Sequence, residues 1–337
     1  MNEKDYGGAA KFRNAGKAVK GNSETAALDK GRRAKIEFED SDDEEFDEEK
    51  TLKAGKIASQ VREFVKQIVK RDVPLLEIAE KIEAKIVELG GKPAFPVNTS
   101  MDDVAAHYTP SPGDNTVASG LLKVDFGAHV DGWISDTSIS FDLDGTEENK
   151  KLIEAAEKAL ESALKKVRSG VRLSEIGKAV QDTLESYKAN PVINLSGHSI
   201  SRYDVHSGLT IPNYNNKSDE TIDEGLIAIE PFATFGNGRV YDGKPSGIFQ
   251  MINDRNVRSP IARKILDYVI EEYSTLPFCS RWIVKKFGNM ALFGLRQLEA
   301  NGNLHQFEQL IESSHRNVAQ AEHTIFISDK GVKITTK

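Results

Sequence analysis

The strongest constraint on what this chain can fold into is an internal duplication. Residues 73–82, VPLLEIAEKI, match residues 171–180, VRLSEIGKAV, about a hundred residues later. Each copy follows an amphipathic helix, marked by Ile57, Val61, Phe64, Val65 and Ile68 in the first and by Leu152, Leu160, Leu164 and Val167 in the second. Leu75, Ile78, Ile82, Ile86 and Leu89 then predict a second helix that stops at Gly90-Gly91. A proline-containing extended stretch comes next in both copies, KPAFPVN and NPVINLS. Further on, a glycine and an apolar strand carry an acid: Asp125 in GLLKVDF and Glu230 in GLIAIEPF. His107 and His206 stand at nearly corresponding places. A helix–helix–strand–strand unit used twice predicts two half-domains about a pseudo-twofold axis in one α+β domain, since a solenoid needs at least about three units. Equivalent strands from the two halves then meet at the centre, and their acids converge.

The first half ends in LLKVDFGAHVDGWISDTSISFD, residues 121–142. Asp131-Gly132 between alternating apolar runs signals a β-hairpin. Pairing across that turn sets Asp125 opposite Ser138 and Gly127 opposite Asp136, so both carboxylates point to one face of the sheet. Carboxylates held there by apolar strands repel each other unless protonated or bridged by a cation. A solvated face on an edge hairpin is the alternative, and the rest of the chain decides between them.

Composition narrows the function classes. The 337 residues carry a net charge of −7, which gives no reason to expect nucleic acid as a main partner, since phosphate binding wants a basic face. The single cysteine, Cys279, cannot form an internal disulfide and fits a reducing compartment. No apolar run approaches the roughly 18 residues of a membrane span and no signal core opens the chain, so the expected location is the cytoplasm, away from membranes.

Two segments stand outside the repeat. Residues 1–50 are first rich in Lys, Arg, Gly and Ala, and then almost wholly acidic from 37 to 49, EFEDSDDEEFDEE. Such a segment buries too little apolar surface to order itself, so a disordered tail is expected, with the folded domain running from 51 to 337. The tail is expected to serve as a solubilising extension or as a contact for the ribosome or another partner. From about 250 to 307, three helical patterns indicate an insertion; a helix-turn-helix reading lacks a basic recognition face. IFISDKGVKITT closes the chain as a hairpin, with Glu322 just before it.

The candidate ligands are Asp125, Asp136, His198, Glu230 and Glu322. Each is weak alone, but Glu230 and Glu322 sit in apolar strand sequence, where an unpaired carboxylate is costly. Four carboxylates and one imidazole balance two divalent cations, with Mn, Fe or Co favoured as much as Zn. His129 reads as a surface residue or as one just behind the ligands, His305 and His315 as solvated, and His323 as pointing away from Glu322.

The motifs LKVDFGAHVDGWISDTS, AAHYTP, NLSGHSI, AIEPFAT and AEHTI, in this order and spacing, resemble the methionine aminopeptidases. AAHYTP, SGHSI followed by RYDVHSG, and the helical insertion resemble their type 2 form, over about residues 51–337. The combined set is highly specific, although no single motif is. The resemblance implies the pita-bread fold and removal of the N-terminal methionine from nascent chains by a monomeric enzyme, with preference for a small second residue. It implies that Asp136 and Glu322 bridge two divalent ions (Co, Mn, Fe or Zn), that His198 and Glu230 complete one site, and that Asp125 completes the other, bidentate. A water acidified by both ions is then the nucleophile, Glu230 the proton shuttle, His206 the oxyanion donor and His107 a contact to the scissile amide. Phe95, Phe232, Ile248 and Pro277 match the side-chain pocket. Ala321 stands where the family usually has Phe, and Phe307 near a usual Tyr. Two other readings keep the fold: a metal-free binding protein and a proline-specific aminopeptidase. Retention of all five ligands and both histidines argues against the first, and AAHYTP with the insertion against the second.

Overall fold

Asp47 caps the first helix by accepting from the Lys50 amide at 2.9 Å, and Glu48 and Glu49 occupy its positive first turn. The last acids of the run expected to be tail are therefore the helix start. In the computed structural model, helix α1 spans Glu48–Ile68, three residues ahead of the expected boundary. The structure describes residues 46–337 and, upstream, only the backbone of Lys17–Ala18 and Glu39–Asp40, two short antiparallel strands. The rest of the expected tail lies outside the described residues.

The duplication is realised as two α/β halves. In the first, α1 and α2 (Leu75–Glu88) lie against β1 (Asn98–Met101), β2 (Val104–Ala106), β3 (Leu121–Val130) and β4 (Trp133–Asp142). The hairpin pairs in the expected register, with Asp125 opposite Ser138 and Gly127 opposite Asp136. In the second half, α3 (Glu147–Leu164) and α4 (Leu173–Ser186) precede β5 (Ser196–Ile200), β6 (Thr210–Pro212), β7 (Gly225–Ile229) and β8 (Phe232–Thr234). Each half has its own apolar core. Ile78, Ile82 and Ile86 of α2 pack with Val61 and Val65 of α1 and with Val124 and Phe126 of β3. Ile176, Val180 and Leu184 of α4 pack with Ile227 and Ile229 of β7. Burying such a side chain contributes about 1.5–3 kcal/mol.

The insertion follows β8. Strand β9 (Val240–Met251) leads to α5 (Pro260–Glu272), α6 (Ser280–Phe287) and α7 (Ala291–Ala300), and β10 (Leu304–Glu312) returns along β9. Its helices share a third core built on Ile265, Leu266, Val269 and Leu295. A buried bidentate ion pair, Arg281 to Glu83 at 2.6 and 2.8 Å, ties α6 to α2. Chain end and centre are then made by β11 (Val318–Gln320), β12 (His323–Ser328) and β13 (Gly331–Ile334). The second-half sheet runs β6-β5-β7-β12-β13.

The two halves meet along a seam of hydroxyls. Thr324 Oγ1 accepts from the Asp136 amide at 2.7 Å and donates to the Asp136 carbonyl at 2.8 Å. Thr137 donates to the Glu322 carbonyl at 2.9 Å and Ser140 to the Gln320 carbonyl at 2.7 Å. The outer edge of β4 is thus satisfied by side chains of TSIS and Thr324. No helix among the described residues is long and apolar enough to cross a membrane.

Candidate metal centre

The five expected ligands gather at this seam. Asp125 projects from β3 and Asp136 from β4, on one face. His198 comes from β5 and pairs opposite Ala228 of β7. Glu230 and Glu322 sit in two facing strand breaks rather than inside continuous strands. Glu230-Pro231 separates β7 from β8, and Ala321-Glu322 separates β11 from β12, between the pairs Ile229–His323 and Phe232–Gln320. Pro231 has no amide hydrogen to continue the ladder, so the backbone opens where the carboxylates emerge.

Asp136, His198 and Glu322 present ligand atoms that all lie within 4.8 Å of one another, and all three residues are buried. His198 Nε2 lies 3.7 Å from Asp136 Oδ2 and 3.8 Å from Glu230 Oε1. Its Nδ1 faces the Ser199 carbonyl at 3.3 Å, which places the proton there and aims the Nε2 lone pair at the acids. Burial holds His198 down at about 4, so it is neutral and able to ligate.

The acids are crowded beyond what protein donors relieve. Burial pushes Asp125 up to about 7. Burial and then the Asp125 charge raise Asp136 well above the usual carboxylate range. Glu230 and Glu322 are raised by burial and by the neighbouring acids, with Arg62 opposing the rise at Glu322. Asp125 Oδ1, Asp136 Oδ1 and Glu322 Oε2 are buried without a hydrogen-bond partner. Orphaned, mutually repelling oxygens beside a neutral imidazole are the donor set of a divalent cation site. The residues present fit such a group.

The centre opens in one direction. Asp136 and Glu322 are 4 % and 1 % exposed, Asp125 and Glu230 are intermediate, and His206 is exposed. The His206 ring stands 4.4 Å from that of His198, edge to face. His107 has a left-handed backbone, φ 63°, and its Nδ1 lies 3.1 Å from the Glu308 carbonyl. Both imidazoles are held below their ordinary value, mainly by the surrounding protein. His107 packs against Phe307, which also meets His305, so His305 is half-buried rather than solvated.

The expected pocket residues divide between two clusters. Phe95 joins Trp133, Ile200 and Leu276, and its ring edge lies 2.5 Å from where a Cβ on Gly127 would be. Phe232 joins Ala105, Val192 and Val318. Ile248, which pairs with Cys279, and Pro277, which follows Leu276 of the Phe95 cluster, are both buried. Of the two readings of His129, its burial excludes the surface one; its Nδ1 accepts from the turn amide of Gly132 at 3.0 Å. His315 is exposed and paired with Asp103, and His323 turns to Thr336 at 2.8 Å, away from the acids.

Two residues at the centre were not anticipated. Arg62 of α1 reaches between the halves and donates to the Thr137 hydroxyl and to the Ser138 carbonyl, the latter at 2.9 Å. Gln320 lies at the end of β11 and touches Asp125 and Glu230. The one signal for Gln320 is its position two residues before Glu322; Arg62 sits among the apolar positions of a helix and gives none.

A fold of two related halves around a buried acid–histidine centre defines a class, and comparison with known proteins agrees. Residues 49–269 match the model of metallopeptidase family M24, and the chain belongs to that family. Within it, the chain groups with the methionine aminopeptidases of the archaeal, type 2, form. It is 46 % identical over 294 residues to a methionine aminopeptidase of Thermococcus onnurineus, covering 86 % of this chain and 99 % of the relative. It is 44 % identical to that of Methanocaldococcus jannaschii, covering 86 % and 98 %. The fold itself recurs in the methionine aminopeptidase of Thermotoga maritima (TM-score 0.62, 22 % identity, 86 % and 96 % covered). It recurs also in a thermophilic Arx1 (TM-score 0.73, 17 % identity, 85 % and 89 % covered).

Proposed function

We propose that this chain removes the N-terminal methionine from polypeptides at a centre of two divalent cations held by Asp125, Asp136, His198, Glu230 and Glu322. The observation that carries the centre is the set of buried carboxylate oxygens without partners beside a neutral His198. Four carboxylates balance two doubly charged ions, and this oxygen-rich set with one imidazole suits Co, Mn, Fe or Zn. When bound, the ions polarise the scissile carbonyl and bring the pKa of water down to about 7.

The remaining work falls to side chains. Glu230, at the open edge of the centre, takes the proton of the attacking water and returns it to the leaving amine. Neutral His206 donates to the oxygen that gains charge, and His107, fixed by the Glu308 carbonyl, meets the amide being cleaved. The free α-amine faces Asp125 and Asp136, which restricts cleavage to the first residue. Phe95, Phe232, Ile248 and Pro277 line the methionine side chain. Nascent chains in the cytoplasm are the substrates, a monomer is the working form, and the N-terminal tail is the part suited to a ribosome contact.

Metal analysis of protein purified without added metal, paired with hydrolysis of Met-Gly-Met and Xaa-Pro peptides, tests this. Two divalent ions per chain and release of Met are expected. A chain that holds no divalent ion and leaves Met-Gly-Met intact sinks the centre, and cleavage of Xaa-Pro without release of Met sinks the specificity.

A further inference from the structure

Gln320 is 1 % exposed and stands between the matching acids of the two halves. Its side-chain amide is oriented by its neighbours. Oε1 accepts from the Ser138 hydroxyl at 2.9 Å, so Nε2 is the end that faces the centre. Nε2 donates to Asp125 Oδ2 at 3.3 Å and to Glu230 Oε2 at 3.1 Å. Each acid thereby gives one oxygen to Gln320 and keeps the other turned inward. Asp125 Oδ1 is left without a partner, and Glu230 Oε1 lies 3.8 Å from His198 Nε2. The backbone of Gln320 is fixed as well. The Ser140 hydroxyl accepts from its amide at 2.9 Å and donates to its carbonyl at 2.7 Å.

We infer that Gln320 is a positioning residue: its amide, set by Ser138, holds Asp125 and Glu230 at one spacing and in one orientation toward the metals. The inference rests on the metal centre proposed above. A neutral donor suits the task. It bonds two carboxylates without removing charge that the cations need, whereas a lysine or arginine in its place would compete with them. Groups that orient ligands from outside the coordination shell typically change metal affinity by about 10–100-fold when removed.

The test uses the full-length chain stripped of metal and titrated with Mn2+ by calorimetry, with kcat and KM measured at saturating Mn2+. Gln320→Met keeps length and packing but removes the amide, so a space-filling role would leave metal affinity unmoved. The expected result is a Mn2+ Kd raised by about 10–100-fold with unchanged stoichiometry, and a kcat that falls more than KM rises. Ser138→Ala removes only the hydroxyl that orients the amide and should raise Kd by about threefold or more. It decides the matter if Gln320→Met fails to fold. Affinities within about twofold of the unaltered chain in Ser138→Ala, or in a folded Gln320→Met, overturn the inference. If the unaltered chain itself binds no Mn2+, the proposed centre falls instead.

Discussion

The two half-domains share their frame and part company at the metal centre. In the first, Asp72 N bonds to Ala118 O and Leu75 N to Thr116 O; in the second, Gly170 N bonds to Ile222 O and Leu173 N to Glu220 O. Helices α2 and α4 both have 14 residues. The first-half strand β3 runs ten residues without a break past Asp125 and turns directly into β4. Its counterpart breaks after β7, at Glu230-Pro231, before β8. The equivalent contacts before the break, Ala118 and Ile222, are 104 residues apart, and those after it, His129 and Thr234, are 105 apart. The matching acids Asp125 and Glu230 are also 105 apart, so the one additional residue lies ahead of the second strand, between Ile222 and Gly225, and the break at Glu230-Pro231 adds none. Duplication supplied the frame, and departures from it supplied the chemistry. Asp136 follows a tight turn that has no equivalent in the second half, which instead continues into the insertion.

This asymmetry can be attacked where it matters most. Glu230→Gln keeps the break and removes the proton carrier, so kcat should fall by about 10²–10⁴ with the fold intact, as circular dichroism will report. An activity near normal would return the role to another acid. His206→Ala comes next, with kcat lowered by about 10²–10³ and metal content retained.

Frame and chemistry are separable in α2 and α4. Gly177 of α4 stands where α2 has Ala79, because a Cβ there would overlap the Tyr214 carbonyl. Helix propensity alone would have Gly177→Ala stabilise by about 1 kcal/mol, but overpacking should make it destabilising by about 1–3 kcal/mol. Ala79→Gly should destabilise by about 1 kcal/mol in urea unfolding, so both changes carry the same sign; a stabilising Gly177→Ala beside a destabilising Ala79→Gly would mean that the two helices pack alike at this position.

The smallest effect concerns pH. Asp125 is pushed to about 7 in the folded, metal-free chain, far above its unfolded value, mainly by burial. The folded state binds this proton more tightly, so the associated stability is full at low pH and lost as pH rises through about 7. Bound metal relieves the repulsion. The gap in melting temperature with and without Mn2+ should therefore widen from about pH 5 to pH 8, by about 5 °C. A gap independent of pH would mean that the acids do not share one charged centre.

Much of this was legible before any coordinates. The Asp-Gly turn and alternation place Asp125 opposite Ser138, because side-chain period and turn length together leave one register. The repeat pointed to Glu230 as the partner of Asp125. Three features were not legible. The acidic run reads as tail by composition, yet its last residues cap α1, since a carboxylate at a helix start is favourable whatever precedes it. His129 looks like a turn residue, yet folds inward to bond Gly132. Arg62 and Gln320 enter the centre from a helix flank and a strand end, and no local pattern marks a side chain whose partners lie 75 and 195 residues away.

The sequence by itself determined the hairpin, the repeated halves, the insertion and the identities of the acids, because periodicity and turn chemistry act between near neighbours. Only the tertiary structure decided how the halves meet. Thr137, Ser140 and Thr324 satisfy the backbone across the seam, opposing breaks free Glu230 and Glu322 to enter the centre, and Gln320 holds one oxygen of each matching acid. These are long-range contacts whose energy exists only after both halves have folded, which is why no single stretch of the chain records them.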